Sequence, residues 1–154
     1  MAPRDANRIR TLAAMFASLA LFAATKAHAM THRATACTIM GTSGPDLLFG
    51  TRGRDVICGL GGNDLADGQG GSDVVIGGPG NDQLSGGDGN DVLSGGPGSD
   101  KLQGDSGSDT VYGGDGRDVI WAWDGFGDRL YGGAGLDRAW KDKLDHVQQV
   151  ERFG

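Results

Sequence analysis

The chain has 154 residues, of which 30 are Gly, and its 20 acidic residues outnumber its 14 Lys and Arg residues to give a formal net charge of −6. This length allows one domain of ordinary size, and the acidic balance argues against binding to nucleic acid or to anionic membranes. Glu151 is the only Glu, so almost every carboxylate is an Asp. Short carboxylates held close to turns are typical of sites for hard cations.

Residues 1–29 have the pattern of a secretory signal peptide. Three Arg residues among the first ten positions precede the apolar run 11–24, and Ala27-His28-Ala29 then supplies small residues for cleavage. A membrane anchor would need about 20 apolar residues, so this run is too short. We therefore expect export by the general N-terminal route, a secreted extracellular chain, and no membrane insertion after signal removal.

Residues 30–40 form a lead-in that contains Cys37, and Cys58 is the only other cysteine. An extracellular compartment permits disulfides. We expect Cys37 and Cys58 to form one at the N-terminal end. Two free thiols are the alternative, because a sequence does not give the distance between the two Cα atoms.

Nine consecutive nonapeptides run from Gly41 to Trp121 without a gap, for example GGPGNDQLS at 77–85. Positions 1 and 4 are Gly in every unit, position 6 is Asp, and position 8 is aliphatic, with Ala66 the smallest. A fixed period of this kind predicts a repeat architecture. Gly permits a tight turn at positions 1–6, and positions 7–9 predict a short strand. Stacked copies then bury a seam of position-8 side chains.

The units resemble the RTX (haemolysin-type) calcium-binding repeat, G-G-x-G-x-D-x-U-x. Units that begin at Gly77, Gly86, Gly95 and Gly113 match it in full, and the other five carry Thr, Leu, Gln or Asp in place of the second Gly. The resemblance implies an all-β parallel β-roll (a right-handed β-solenoid) with two nonapeptides per coil. It also implies several Ca²⁺ ions between turns stacked on the same edge.

By this resemblance, the position-6 Asp and turn carbonyl oxygens hold calcium. One edge would carry Asp46, Asp64, Asp82, Asp100 and Asp118, and the other Asp55, Asp73, Asp91 and Asp109. Asp128 and Asp137 extend these columns. The carbonyl donors would include those of Gly77, Gly78, Gly80, Gly86, Gly87, Gly89, Gly95, Gly96 and Gly98. Asp46 and Asp64 are the weaker members, because their turns lack the second Gly.

Calcium should be required for folding. Strands in a sheet lie about 4.8 Å apart, and carboxylates at that spacing repel by about 3 kcal/mol per pair at an effective dielectric of about 20. Several such pairs rival a typical domain stability of about 5–15 kcal/mol. A divalent ion replaces this repulsion with shared coordination, so its binding energy becomes folding energy.

After Trp121 the repeat loses phase, and residues 123–154 predict a degenerate repeat and a C-terminal cap beyond a roll at 41–122. Solenoids need atypical terminal repeats to shield their open edges. Leu144, Val147, Val150 and Phe153 are expected to close the last coil. The alternative for this aromatic-rich tail is a ligand-binding platform.

No catalytic motif is found, so we expect a non-catalytic binding or structural module rather than an enzyme. Two alternatives are open: a calcium-dependent self-assembling matrix or surface-layer component, and a detached accessory module of a secreted enzyme. Stacked outward residues such as Val56, Val74 and Val92 suit a strand by propensity alone. The alternative is an apolar strip for self-association or for an unknown extracellular partner.

Overall fold

The computed structural model describes residues 36–150 and the backbone of 152–153. Fourteen strands are present in this part of the chain. In chain order they are β1 (Ile39–Met40), β2 (Leu47–Phe49), β3 (Val56–Cys58), β4 (Leu65–Asp67), β5 (Val74–Ile76), β6 (Gln83–Asp88), β7 (Val92–Gly98), β8 (Lys101–Ser106), β9 (Thr110–Gly116), β10 (Val119–Ala122), β11 (Arg129–Gly135), β12 (Arg138–Lys141), β13 (His146–Gln148) and β14 (Arg152–Phe153). Over the same residues, no helix has the length and apolar character needed to cross a membrane.

The strands form two parallel sheets of seven strands each, one from the odd-numbered and one from the even-numbered strands. Neighbouring strands pair in register at a separation of two nonapeptides, as in Val56 with Val74 and Val74 with Val92. Each coil therefore contributes one strand to each sheet. This arrangement confirms the predicted parallel β-roll.

The core is a single seam of position-8 side chains between the two sheets. Ile57, Val75, Leu93 and Leu102 are fully buried. Most residues at positions 7 and 9 face outward, as expected for a strand, but Val56 and Cys58 of β3 are buried as well, so Val56 is not the outward residue that the sequence suggested. Ala66 belongs to the same seam and is also buried. The seam is only one side chain deep on each sheet, so apolar burial alone gives a thin core.

Strands in the middle of the roll continue into the turns. β2 to β5 have three residues each, whereas β7 and β9 have seven, because Gly96 and Gly98 of one turn pair with Gly114 and Gly116 of the next coil. This close stacking requires Gly at position 4. Gly89 has φ +143°, and a Cβ there would run into the carbonyl oxygen of Gly71 in the preceding coil.

The coil continues beyond residue 122 with an irregular step. Asp109 and Asp128 precede strands that pair at a separation of 19 residues, and the next pair on this edge is 17 residues apart. Val147 and Val150 pack against the core. The expectation that Leu144 also closes the core is wrong: Leu144 is 58% exposed, because it occupies the outward turn position directly before Asp145. The side chain of Phe153 lies outside the described part.

Two aromatic pairs stack on the outer faces near the C-terminal end. The ring centroids of Tyr112 and Tyr131 are 4.9 Å apart, and those of Trp121 and Trp140 are 5.5 Å apart. The Arg138 guanidinium lies over the Trp140 ring, 4.7 Å from its centroid. The Trp140 ring thus contacts two other side chains of the protein, whereas Trp123 and Phe126 of the same tail are exposed.

The N-terminal end is fixed by a covalent bond. Cys37 and Cys58 form a disulfide with Cα atoms 6.0 Å apart, and it joins the lead-in to β3. Thr38, next to Cys37, accepts a hydrogen bond from the Val56 amide at 2.9 Å. The lead-in is therefore tied to the first coil, residues 41–58, by bonds that do not involve a metal.

Candidate metal centre

Each position-6 Asp directly precedes a strand, so the two-unit coil stacks these residues in two columns, one on each edge of the roll. Asp82, Asp91 and Asp100 are each only 1% exposed. Within a column, the backbone N–H of one Asp donates to Oδ1 of the Asp one coil further on. The distance is 2.8 Å from Asp82 to Asp100 and 2.9 Å from Asp100 to Asp118. One carboxylate oxygen thus holds each turn to the next.

The other carboxylate oxygen, Oδ2, is buried without a hydrogen-bond partner in most of these residues. An unpaired buried charge is strongly unfavourable, so buried charges are normally paired or bound to metals. A row of such oxygens therefore indicates a cation. The set consists of Asp64, Asp73, Asp82, Asp91, Asp100, Asp109, Asp118, Asp128 and Asp137, and it is called the unpartnered set below.

Main-chain carbonyls approach these carboxylates across the coils. The point at which a Cβ of Gly86 would stand lies 2.5 Å from Oδ2 of Asp91 and 2.6 Å from the carbonyl oxygen of Gly104 in the next coil. Gly95 is placed in the same way beside Asp100 and the Gly113 carbonyl. Two acceptor oxygens from successive coils thus face one space that any side chain at position 1 would fill. Carboxylate and carbonyl oxygens are the ligands that Ca²⁺ prefers.

The predicted carbonyl donors divide into two groups. Position-1 oxygens, including that of Gly95, lie near the unpartnered carboxylates. Position-2 and position-4 oxygens face the backbone of the next coil, as with Gly78 toward Gly96. No group of three or more His, Cys, Asp and Glu side chains suited to one metal occurs within residues 36–150. A site here would therefore combine few carboxylates with main-chain carbonyls.

Burial changes the acidity of the central carboxyl groups. Desolvation is the largest cause, and charge from neighbouring carboxylates adds to it, while the backbone N–H bond to Oδ1 partly offsets both. The pKa rises to about 6 for Asp91 and Asp118, to about 7 for Asp100 and Asp128, and to about 8 for Asp109. The roll thus disfavours its own charged carboxylates unless a cation compensates them.

The first turn on each edge differs from the inner turns. Oδ2 of Asp46 accepts hydrogen bonds from the backbone N–H of Thr42 at 2.6 Å and from its hydroxyl at 2.9 Å. Oδ2 of Asp55 accepts the same two bonds from Thr51 at 2.7 and 2.8 Å. The bonds from Thr51 lower the pKa of Asp55. Two of the predicted ligands thus already have donors from the protein. Asp64, expected to be weak, belongs instead to the unpartnered set.

The structure adds one member that the sequence prediction missed. Asp145 continues the column of Asp128: its Oδ1 accepts the Asp128 N–H at 3.1 Å, and its Oδ2 accepts the Asp142 N–H at 2.9 Å. The irregular spacing hid it. The signal that could have found it is Val147, because an aliphatic residue two positions after an Asp is the pattern of every regular unit.

The fold and these sites define a calcium-binding structural β-roll. Residues 38–66, 67–102 and 94–127 match the family model of the RTX calcium-binding nonapeptide repeat (4 copies). The chain therefore belongs to the RTX calcium-binding repeat family, and Ca²⁺ is the ion that these repeats bind. No curated protein and no solved structure gives a significant match to the chain.

Proposed function

We propose that this protein is a secreted calcium-binding β-roll that folds outside the cell when Ca²⁺ binds between its stacked turns, and that it acts there as a non-catalytic binding or structural module. The observation that supports this most directly is the unpartnered set, nine buried Oδ2 atoms in two columns. The signal-like residues 1–29 lie outside the described part, so secretion rests on their sequence pattern.

Calcium binding and folding are coupled in this proposal. Without the ion, the buried carboxylates of the two columns face desolvation and mutual repulsion, and the thin core of position-8 residues offers little compensation. With the ion, carboxylate and carbonyl oxygens from successive coils share one cation, and the affinity contributes to folding. We expect weak binding, about 10⁻⁴–10⁻³ M, as in other extracellular modules. The chain would thus stay unfolded where calcium is scarce.

The same geometry supports a non-catalytic role. Asp91 and Asp100 are each 1% exposed, and their oxygens point into the stack of turns rather than toward solvent. A general acid or base must come within hydrogen-bond reach of its substrate. These carboxylates can hold an ion between coils but cannot meet a large substrate there.

A calcium titration of the chain from residue 30 onward, followed by circular dichroism and Trp fluorescence, tests this function. We expect little β structure in excess EDTA, a cooperative gain of β structure at submillimolar to millimolar calcium, and a fluorescence change as Trp121 and Trp140 stack. Equal β content in EDTA and in calcium would contradict the proposal. N-terminal sequencing of the exported chain tests secretion separately, with Met30 as the expected first residue.

Self-assembly is a second candidate, favoured by apolar residues around the first strand of each sheet. Met40 is 66% exposed, Leu47 61% and Phe49 50%, and among the described strands β1 and β2 are each the first strand of a sheet. Sheet edges and apolar surfaces promote association unless they are covered. Sedimentation velocity with and without calcium separates the two candidates, since only self-assembly predicts calcium-dependent growth in mass.

A further inference from the structure

The backbone conformation at position 2 differs between the first turns and the inner turns. Position 2 has positive φ in the inner turns even where it is not Gly, as with Leu60 at +78°, Gln69 at +69° and Asp105 at +66°. Thr42 and Thr51 do not adopt positive φ, a region that is especially unfavourable for β-branched residues. The absence of Gly therefore does not by itself account for the difference, because Leu60, Gln69 and Asp105 adopt positive φ where the two Thr residues do not.

This backbone difference redirects a hydrogen-bond donor. In an inner turn, the position-2 amide of Gly78 donates to the Gly95 carbonyl of the next coil at 2.9 Å. In the threonine turns, 41–46 and 50–55, the position-2 amide instead donates to Oδ2 of the Asp in its own turn, and the Thr hydroxyl donates to the same oxygen. Two donors thus occupy the side of the carboxylate that is unpartnered in the inner turns.

We propose that Thr42 and Thr51 exclude calcium from the first turn on each edge, so that these two turns are metal-independent caps and ions bind only in the coils that follow. This inference rests on the proposed calcium binding of the inner turns. An N–H and an O–H directed at one oxygen present positive hydrogens where a cation would approach, and an ion would have to displace both bonds. Asp55 is held further by the Thr38 hydroxyl, 3.3 Å from its Oδ1.

The decisive variant is Thr51→Gly, which restores the residue found at position 2 of the full repeats. It removes the hydroxyl donor to Oδ2 of Asp55 and lets residue 51 adopt positive φ, as position 2 does in the inner turns, so that its amide can turn away from the carboxylate. We expect the calcium-saturated variant to bind a single additional ion, counted by native mass spectrometry and by isothermal titration calorimetry. Adding Asp55→Asn to Thr51→Gly should remove that ion, because the amide carries no charge.

Gln69→Gly is the matched control on the same edge. Gln69 already has positive φ, and Oδ2 of Asp73 in its turn is unpartnered, so this change should leave the number of ions as it is. Asp91→Asn, in the middle of the column, should lower the number. A wild-type chain that takes up no calcium would refute the proposed function itself and not only this inference.

An unchanged ion count in Thr51→Gly, or an additional ion that survives Asp55→Asn, would overturn the inference. Should Thr51→Gly fail to fold, Thr42→Gly provides the same test on the opposite edge. Hydrogen exchange of the wild-type chain in calcium gives an independent measurement. The Thr42 and Thr51 amides should be protected by their bonds to the carboxylates, and rapid exchange at both would also overturn the inference.

Discussion

The first coil and the middle of the roll share one repeat but satisfy their carboxylates in different ways. In the first coil, Asp46 and Asp55 receive N–H and O–H donors from Thr42 and Thr51. In the middle, a residue such as Asp91 has a buried Oδ2 that no protein group reaches. The same carboxylate can therefore be a hydrogen-bond acceptor that closes an end or an anionic ligand that needs an ion.

At the C-terminal end, as in the first coil, a backbone N–H donates to Oδ2 of an Asp, but different residues supply it. The Asp142 amide donates to Oδ2 of Asp145, the last carboxylate of its column. The Asp124 carboxylate accepts the Gly107 amide at 2.9 Å, a bond that regular turns make to a main-chain carbonyl, as Gly89 does to Ser106. Side chains thus complete turns where the repeat loses its phase. The first coil and one edge of the C-terminal end thus use the protein's own donors, whereas the middle of the roll and Asp137, the last carboxylate on the other edge, present unpartnered oxygens.

The largest expected effect comes from Gly89→Ala in the middle of the roll. Gly89 has positive φ, and its Cβ would meet the Gly71 carbonyl oxygen of the coil below. Backbone cannot move away as a side chain can, so we expect a loss of about 4 kcal/mol or more. Thermal unfolding in saturating calcium, followed by circular dichroism, measures it.

Gly53→Ala is the control at the same turn position in the first coil. Gly53 lacks positive φ, and the nearest atom to its Cβ would be the Thr51 hydroxyl oxygen at 3.8 Å. We expect a change within about 0.5 kcal/mol. An equal loss of stability in Gly89→Ala and Gly53→Ala would show that the two regions do not differ in backbone conformation as described.

Loss of the disulfide should weaken the N-terminal end without changing calcium binding. Cys37 and Cys58 are 21 residues apart, and closing a loop of this length stabilises a fold by about 3 kcal/mol in the chain-entropy model. The double variant Cys37→Ser/Cys58→Ala should therefore unfold at a lower temperature in calcium. Its ion count by native mass spectrometry should equal that of the wild type. A lost ion would contradict a metal-independent first coil.

The nonapeptide period was sufficient to predict most of the fold. It placed strands after each position-6 Asp, as in β3 and β5, and it grouped the Asp residues into the two observed columns. The prediction worked because each fixed position of the nonapeptide has one physical role. The extension of β7 to seven residues was not predictable from strand propensity, since Gly96 and Gly98 pair only because a second turn lies beside them.

The site was predictable in outline but not at its boundaries. The sequence indicated Asp46 and Asp55 as ligands, and nothing in the motif shows that Thr42 and Thr51 turn their amides inward. That outcome depends on φ, which the β-branched side chain restricts. Asp145 was missed because two irregular steps, of 19 and 17 residues, compensate each other only in three dimensions.

The metal-free chain should gain structure as the pH falls. Burial raises the pKa of Asp109 to about 8 and that of Asp100 to about 7, from 3.8. Between about pH 4 and about pH 8 the folded state therefore binds more protons than the unfolded state. The free energy of unfolding of the metal-free chain thus decreases as pH rises through this range. Circular dichroism in EDTA should show more β structure at pH 5 than at pH 8.

Saturating calcium should remove this dependence between pH 6 and pH 8, because ion-bound carboxylates and unfolded carboxyl groups, whose ordinary pKa is 3.8, are both deprotonated there. The thermal midpoint in saturating calcium should therefore be nearly the same at pH 6 and at pH 8. Sedimentation velocity at pH 5 checks that the added β structure belongs to a monomer. A metal-free chain equally unfolded at pH 5 and pH 8 would show that carboxylate charge is not what opens the middle of the roll.

The smallest expected effect concerns Arg138 at the C-terminal end. Its guanidinium lies over the Trp140 ring, which stacks on Trp121 with an interplanar angle of 7°. Removing one exposed cation–π contact costs about 0.5–1 kcal/mol, so Arg138→Ala should lower the thermal midpoint slightly and alter Trp fluorescence. Arg129→Ala is the control, since Arg129 precedes Tyr131 on the other sheet and its loss should leave Trp emission unchanged. The contact lies on the outer face of the sheet, away from the Asp columns. Both variants should therefore fold at the same calcium concentration as the wild type. A shifted calcium midpoint in Arg138→Ala would mean that the aromatic end is coupled to ion binding in the middle of the roll.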